Sequence, residues 1–352
     1  MIVLKGEGEN MVLEKVTGNK AMQYLGLSRH TFNKLVSIEQ IPWHTEGNRT
    51  VFYVSELDRF MLSNEYSTAV NGTVDKRNSL NDLTGKDWLV ETKSYFYQKG
   101  LGADSPDAQI EKLHPAPYSF QDISRLIRFF TKKGMTVLDP FGGIGSTAKA
   151  CEIEKRACTS IELSKQWHDL AKKRLEKEVA IGASKHHVFI NGDSRKELKK
   201  IESEAFDFVV TSPPYWGILN KQDQKVKKNR VANNLETKYS EDVRDLGNVE
   251  KYEEFLEIMV NDVFLECARV LKKKKYMAIV VSDFRDGSDF ISFHSDLIYR
   301  LNNARITNGD ILKLQGTKVL IQNHKSLLPY GYPFAYVENI HHQYVLIFRK
   351  DR

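Results

Sequence analysis

From Thr136 to the end of the chain, short apolar runs alternate with longer stretches of mixed character. The runs are MTVLDP, ACTSIEL, HHVFINGD, FDFVVTSPP, YMAIVVSD and QYVLIFRK. Between them, helical spacing begins at Ser146, runs through Leu175, spans the amphipathic Tyr252–Leu271 and returns near Leu297. Runs of this length read as strands and the intervening segments as helices. Regular alternation of the two predicts an α/β fold, a doubly wound, mostly parallel sheet with helices on both faces.

The N-terminal part has a different pattern. Lys20–Leu25 has helical character, Gly26 ends it, and Ser28 is a good N-cap for a helix through Ser37. Ile41-Pro42 breaks the pattern. Thr50–Val54 alternates like a strand behind the turn Glu46-Gly47-Asn48, and Ser55 is placed to cap a last short helix. This is the layout of a small winged helix-turn-helix domain, expected over residues 1–63. Residues 64–85 are polar and turn-rich and read as a linker. The main domain is expected over residues 86–352.

Composition narrows the function only a little. The 352 residues have 41% hydrophobic content, enough for a large core, and no apolar run nears the roughly 20 residues of a membrane span. The opening MIVLKGEGEN turns acidic too soon for a secretory signal, so an intracellular, cytoplasmic protein is expected. Cys151, Cys158 and Cys267 have no metal-ligand spacing and read as buried free thiols. No metal is expected. The net charge of +6 permits a polyanionic partner without requiring one. Basic residues cluster in Ile218–Arg230 (five against one acid) and in the run Lys272–Lys275.

Ligands in such sheets bind outside the carboxyl ends of the strands, and four of these ends carry unusual residues. LDPFGGIGS, residues 138–146, offers glycines for a tight turn and a helix start with free N–H groups. Glu162 ends the next strand, 23 positions after Asp139, where a carboxylate can accept hydrogen bonds from ribose hydroxyls. Asp193, in NGDS, is suited to accept from an adenine amino group. A dinucleotide enzyme would use the first two features as well. The fourth end, TSPPYWG, is of no evident use to hydride transfer but suits methylation of an exocyclic amino group. Such a nitrogen is a poor nucleophile, because its lone pair is delocalised into the base. Ser212 Oγ and the Pro213 carbonyl can hold its hydrogens, and the prolines fix the turn. Tyr215 can stack on a base taken out of its duplex and Trp216 can wall the pocket.

TSPPYW after LDPFGGIGS resembles the amino-methylating DNA methyltransferases, the cytosine-N4 and adenine-N6 group. The resemblance extends over about residues 80–350 and includes NDLTGKDWLVETKSYFY, LHPAPYSFQDISRLI and IHHQYVLIFRK. It implies S-adenosyl-L-methionine as cofactor and duplex DNA, with its target base flipped out, as substrate. A cognate restriction enzyme is a candidate partner. By resemblance Asp139, Phe141, Gly143 and Gly145 line the cofactor, Glu162 meets its ribose, Asp193 its adenine and Ser119 its methionine end. Ser212, Pro213, Pro214 and Tyr215 form the catalytic loop. Serine at its head leans toward cytosine N4, where Asp or Asn suits adenine N6. Cytosine-C5 methylation does not fit, because it needs a cysteine nucleophile typically placed after proline.

The string AMQYLGLSRHTFNKL resembles excisionase-like and MerR-like DNA-binding modules. It implies that Arg29, His30, Asn33 and Lys34 lie on a helix entering the major groove and that Arg49 lies on the wing. Residues 1–63 hold seven basic and seven acidic side chains, so a net basic footprint is missing. With almost nothing after the last strand, target recognition is expected from this module or from insertions at Gly217–Asn248 and Thr307–Asn339. The rival reading is a DNA-binding regulator built on an inactive methylase fold.

Overall fold

Successive residues of the central strands turn to opposite faces of one sheet, and both faces are apolar. Leu138, Val209, Met277, Ile279, Leu346 and Phe348 belong to one buried cluster, while Val137, Phe208, Val210, Ala278, Val345 and Ile347 belong to another. Period-two alternation with both sets hydrophobic requires helices on both sides. The first face is covered by the helical stretch Tyr252–Val270 and by Phe293–Leu301, the second by Phe120–Phe130, Ser146–Ile153 and Lys165–Glu178. Leu138 and Phe208 are fully enclosed, and each such side chain contributes roughly 1.5–3 kcal/mol of burial.

This computed structural model describes residues 14–61, 63, 72–98, 105, 107–111, 113–114, 118–217, 242–323 and 325–351. Residues 64–71 of the linker expected at 64–85, and residues 218–241 of the basic insertion expected at Gly217–Asn248, lie outside the described residues. The chain divides into two compact units, Met1–Asn78 with Leu83–Glu91, and Ser79–Asp82 with Thr92–Arg352.

In the first unit, strands β1 (Lys15–Thr17), β2 (His44–Glu46) and β3 (Arg49–Tyr53) form a sheet ordered β1-β3-β2. Helices Gly18–Tyr24, Arg29–Ser37 and Val54–Met61 pack with it around Ala21, Phe32, Leu35, Phe52 and Leu57. Ser28 Oγ accepts from Thr31 N–H at 3.2 Å, which fixes the start of the second helix. Val54 opens the third helix, so Ser55 sits inside its first turn instead of capping it. Arg29, His30, Asn33 and Lys34 are all exposed, on the side of their helix away from buried Phe32 and Leu35, and Arg49 is exposed on the hairpin.

The second unit is built on eight strands ordered β4-β12-β13-β9-β8-β5-β6-β7. They are β4 (Tyr95–Tyr97), β5 (Thr136–Asp139), β6 (Ala157–Glu162), β7 (Val188–Asn191), β8 (Phe206–Thr211), β9 (Leu271–Val281), β12 (Ile311–Ile321) and β13 (His342–Asp351), while β10 (Phe284–Asp286) and β11 (Asp289–Ile291) pair as a separate hairpin. Strands β9-β8-β5-β6-β7 run parallel, and β13 is antiparallel to both its neighbours. The expected α/β architecture with a large, mostly parallel sheet is present. The chain moves outward from β5 through β6 to β7, then returns to the other side of β5 with β8. That reversal opens a crevice at the carboxyl ends of β5 and β8.

Two expectations about basic and inserted segments change here. Lys272 and Lys275 reach Asp207 at 3.0 and 3.7 Å, and Lys273 reaches Asp310 at 3.6 Å. The lysine run therefore opens strand β9, at the end of the sheet opposite the crevice, with three of its four lysines in ion pairs. Of the 307–339 segment, residues 311–321 are strand β12 and part of the sheet. Its alternating Lys313, Gln315 and Lys318 disguise a strand buried at only a few positions.

Candidate active site

Asp139 at the end of β5 organises everything above it. The side chain is completely buried, and burial pushes its pKa up. Four donors oppose that shift: the hydroxyls of Thr211 (2.6 Å), Thr147 and Tyr118 (2.6 Å), and the Phe141 N–H at 3.0 Å. Three come from different elements, so one carboxylate ties β5 to the end of β8, to helix Ser146–Ile153 and to the segment before helix Phe120–Phe130. Burying a carboxylate is tolerable only with such a complement.

The loop that follows can turn because of its glycines. A Cβ on Gly142 would lie 1.8 Å from Ser160 Oγ. Gly145 has φ +77°, and a Cβ there would lie 2.9 Å from that of Ala171. Helix Ser146–Ile153 then starts with its N–H groups toward the crevice side. Behind it lies a buried ion network. Arg174 holds Glu178 at 2.8 Å, Glu111 at 2.9 Å and Ser146 Oγ at 3.1 Å, and Lys149 pairs with Glu178 at 2.7 Å and with Asp107. Removing one partner from such a set strands the other charges in the interior.

Glu162 closes the loop from β6. Its Oε2 accepts from Gly143 N–H at 2.8 Å and its Oε1 from Ser164 N–H at 2.7 Å. Burial nevertheless raises its pKa to about 7, with the nearby charges of Asp245 and Asp139 adding to the effect. Asp193 caps helix Ser194–Glu197 by accepting from Arg195 N–H at 3.0 Å, and its carboxylate is also held by the Arg195 guanidinium at 2.8 Å.

These groups surround one cavity of about 900 Å³, its open mouth included. Phe141, Gly142, Gly143, Glu162, Asp193, Ser212, Pro213 and Pro214 all line it. Strand ends spread along the chain from Asp139 to Thr211 thus meet on one surface. Ser119, Asp139 and Gly145, expected to line it, do not. Asp139 has both oxygens engaged beneath the loop. Gly145 is taken up by the helix start against Ala171. Ser119 occupies the N-cap position of helix Phe120–Phe130 with its side chain buried and making no capping hydrogen bond, and the neighbouring Tyr118 reaches the cavity instead.

Tyr215 and Trp216 lie beyond this lining. The Tyr215 ring packs edge-on against Phe284 and Phe293, with centroids at 6.4 and 6.3 Å. Its hydroxyl accepts from Ser282 N–H at 3.0 Å and from Gln343 Nε2 at 3.3 Å, and burial raises its pKa. The Trp216 indole donates to the Val249 carbonyl at 2.8 Å and leans on Tyr252.

Several lining residues escaped sequence reasoning. His114 and Trp167 meet at 5.0 Å between ring centroids, and Arg244, Asp245 and Leu246 close the opposite side. Asp245 is buried, which raises its pKa, and it accepts from Gly247 N–H at 2.9 Å. Arg244 is held by Asp242 at 2.6 Å. None follows a strand directly, so the strand-end rule had no reason to single them out. Among the described residues no group of three or more His, Cys, Asp or Glu side chains is placed to hold a metal ion.

An α/β sheet with its strand order reversed beside a glycine loop, and with acids at the ends of the next two strands, is methyltransferase-like. Residues 32–173 match the N6_N4_Mtase family, described as DNA methylase. The type II methyltransferase M.BglI of Bacillus subtilis is 29% identical over 165 residues, which is 47% of this chain and 42% of that protein. The chain thus spans less than half the length of this relative. Among solved structures, a putative DNA modification methylase from Thermus thermophilus, TTHA0409, complexed with S-adenosyl-L-methionine, is 26% identical over 46% of this chain and 54% of its own, with TM-score 0.30. TrmN from Thermus thermophilus is 15% identical over 66% of this chain and 48% of its own, with TM-score 0.40. The cofactor of the matching family is S-adenosyl-L-methionine.

Proposed function

We propose that this protein is a DNA methyltransferase that transfers a methyl group from S-adenosyl-L-methionine to an exocyclic amino nitrogen, the N4 of cytosine. The observation that carries the reading is the shared cavity wall: Ser212, Pro213 and Pro214 face the same space as the glycine loop, Glu162 and Asp193.

The donor set fits the cofactor. S-adenosylmethionine is positively charged at its sulfonium and its ammonium. The lining has three carboxylates, Glu162, Asp245 and Asp193 (itself paired with Arg195), against one arginine already paired with Asp242. Glu162 is suited to the ribose hydroxyls, and Asp193 to the adenine edge. When bound, the cofactor supplies an electrophilic methyl group. The chain's own part is to hold the target nitrogen. Ser212 Oγ and the Pro213 carbonyl accept its two hydrogens and favour the tetrahedral geometry that frees the lone pair. Most of the rate comes from this positioning and from fixed dipoles.

Two surfaces are available for DNA. One is the exposed face of helix Arg29–Ser37. The other is the β12–β13 connection, which leaves the sheet at the crevice end and exposes Tyr332, Phe334 and Tyr336 by more than four-fifths. Flat exposed rings stack on bases that have lost their neighbours. The reading is tested by sequencing modified bases in DNA from cells expressing the chain. A modified cytosine in a fixed context, lost with Tyr215→Ala, supports it. N6-methyladenine alone would move the target base, and unmodified DNA would favour a regulator on an inactive fold.

A further inference from the structure

The phenol of Tyr215 stands at the end of a chain of buried and half-buried side chains that begins some distance away in helix Phe120–Phe130. Asp122, in the first turn of that helix, accepts from Gln98 Nε2 at 3.0 Å. Gln98 follows β4, and its Oε1 accepts from Gln322 Nε2 at 3.0 Å. Gln322 follows β12 and also donates to Gln343 Oε1 at 3.4 Å, a long contact. Gln343, at the start of β13, donates to Tyr215 Oη at 3.3 Å. The main chain fixes these positions, because Gln98 N–H donates to the Ile321 carbonyl at 2.9 Å and Gln322 N–H to the His341 carbonyl at 2.8 Å. Three amides in series, running from a carboxylate to a catalytic-loop phenol across an otherwise apolar sheet, are costly to bury unless each is satisfied.

We propose that Asp122 is a positioning residue for methyl transfer, acting on Tyr215 through Gln98, Gln322 and Gln343. The inference rests on the methyltransferase reading of the Ser212–Tyr215 loop. An ionised carboxylate only accepts, so it sets the direction of the whole chain. Gln98 must turn its NH₂ group to Asp122 and its carbonyl to Gln322. The next two amides follow, and Tyr215 Oη becomes an acceptor from both Gln343 and Ser282. Its own proton is then turned away from Gln343 and Ser282, on a phenol whose pKa the neighbouring Ser212 side chain helps to lower. Protonated Asp122 would donate and remove that bias, leaving the phenol free to turn its proton to Gln343.

The direction can switch in an accessible pH range. Burial raises the pKa of Asp122 to about 6, against the pull of Gln98 and of Arg125, while Glu111 adds to the rise. Gln98, Arg125 and Glu111 are the polar and charged groups acting on it among the described residues. Buried beside it are Ser119 Oγ and Gln322 Oε1, which have no hydrogen-bond partner there, so the surroundings do little to fix the amides independently of the carboxylate.

The test compares the full-length parent with Asp122→Asn and with Gln98→Met, a near-isosteric change that cuts the chain at a part-exposed position. Both should bind S-adenosylmethionine with parent affinity by calorimetry, yet transfer methyl groups to DNA about tenfold more slowly at pH 8, the scale of one lost charge-assisted hydrogen bond. At saturating S-adenosylmethionine, where the Glu162 titration no longer limits binding, the parent rate should fall as pH drops through about 6, and both variants should lack that limb. A second readout needs no activity. In protein with ¹³Cζ-labelled tyrosine, the resonance that disappears in Tyr215→Phe should shift with pH through the same range in the parent and not in Asp122→Asn. If the parent transfers methyl groups and the variants match its rate and pH profile, the relay is wrong. If the parent transfers none, the functional reading fails instead, and the Tyr215 resonance alone decides whether the relay exists.

Discussion

Gly143 N–H donates to Glu162 Oε2 at 2.8 Å, so the glycine loop after β5 is held by the acid that ends β6. The contact joins the two features a cofactor needs at once, a backbone that comes close and a carboxylate beside it. It also means that changing Glu162 disturbs the loop as well as removing an acceptor.

Glu162→Gln should weaken S-adenosylmethionine binding by roughly tenfold or more, since one charge-assisted acceptor is lost. In the parent, affinity should rise as pH increases through about 7, where the carboxyl ionises and becomes a pure acceptor. Calorimetry across pH 6 to 8 checks this, and Glu162→Gln should show no such rise.

The same group makes a prediction for the protein without cofactor. Its folded-state pKa of about 7 lies above the ordinary 4.5, so the folded protein keeps the proton longer than the unfolded chain. Its contribution is therefore favourable at low pH and is lost as pH rises between those two values. Chemical denaturation should show Glu162→Gln flattening part of that decline.

Gly142→Ala should abolish cofactor binding, because its Cβ would collide with Ser160 Oγ at 1.8 Å. Adding Ser160→Ala removes the oxygen but leaves a Cβ at 3.2 Å, so binding should return only in part. Equal binding by parent and single variant would show that the loop yields more easily than its packing implies.

Much of this was legible in the chain. The alternation of apolar runs announces the sheet, because strands buried on both faces have few polar positions to blur them. LDPFGGIGS, Glu162, Asp193 and TSPPYW lie at strand ends, where the fold makes ligand sites. The rest was hidden for physical reasons. Asp139 belongs to the same motif as the lining residues, yet its depth turns it from a ligand group into a structural one. Tyr118 and Asp245 come from segments with no periodic signal, Trp167 from the first turn of helix Lys165–Glu178, and all three reach the cavity only through tertiary packing. Strand β12 was overlooked because its lysines and glutamine face outward near the sheet's edge.

Deleting residues 1–63 should leave a folded, cofactor-binding enzyme, because helix, hairpin and core in that region satisfy one another. It should methylate DNA less well at physiological salt, with a shallower dependence of affinity on salt. Arg29→Ala or Lys34→Ala should reproduce part of the loss. Superimposable salt curves for full chain and truncation, with the same methylated sequence, would mean that the module does not read this DNA.

The central claim is tested most directly by incubating the full chain with duplex DNA and methyl-labelled S-adenosylmethionine, then digesting the DNA and identifying labelled nucleosides by mass spectrometry. Labelled N4-methylcytosine is expected, with Ser212→Ala and Tyr215→Ala slower by about a hundredfold or more, the scale of losing preorganised groups at the reacting atom. Labelled N6-methyladenine would correct the base and leave the mechanism standing. DNA without label, from protein that binds the cofactor, would contradict the account.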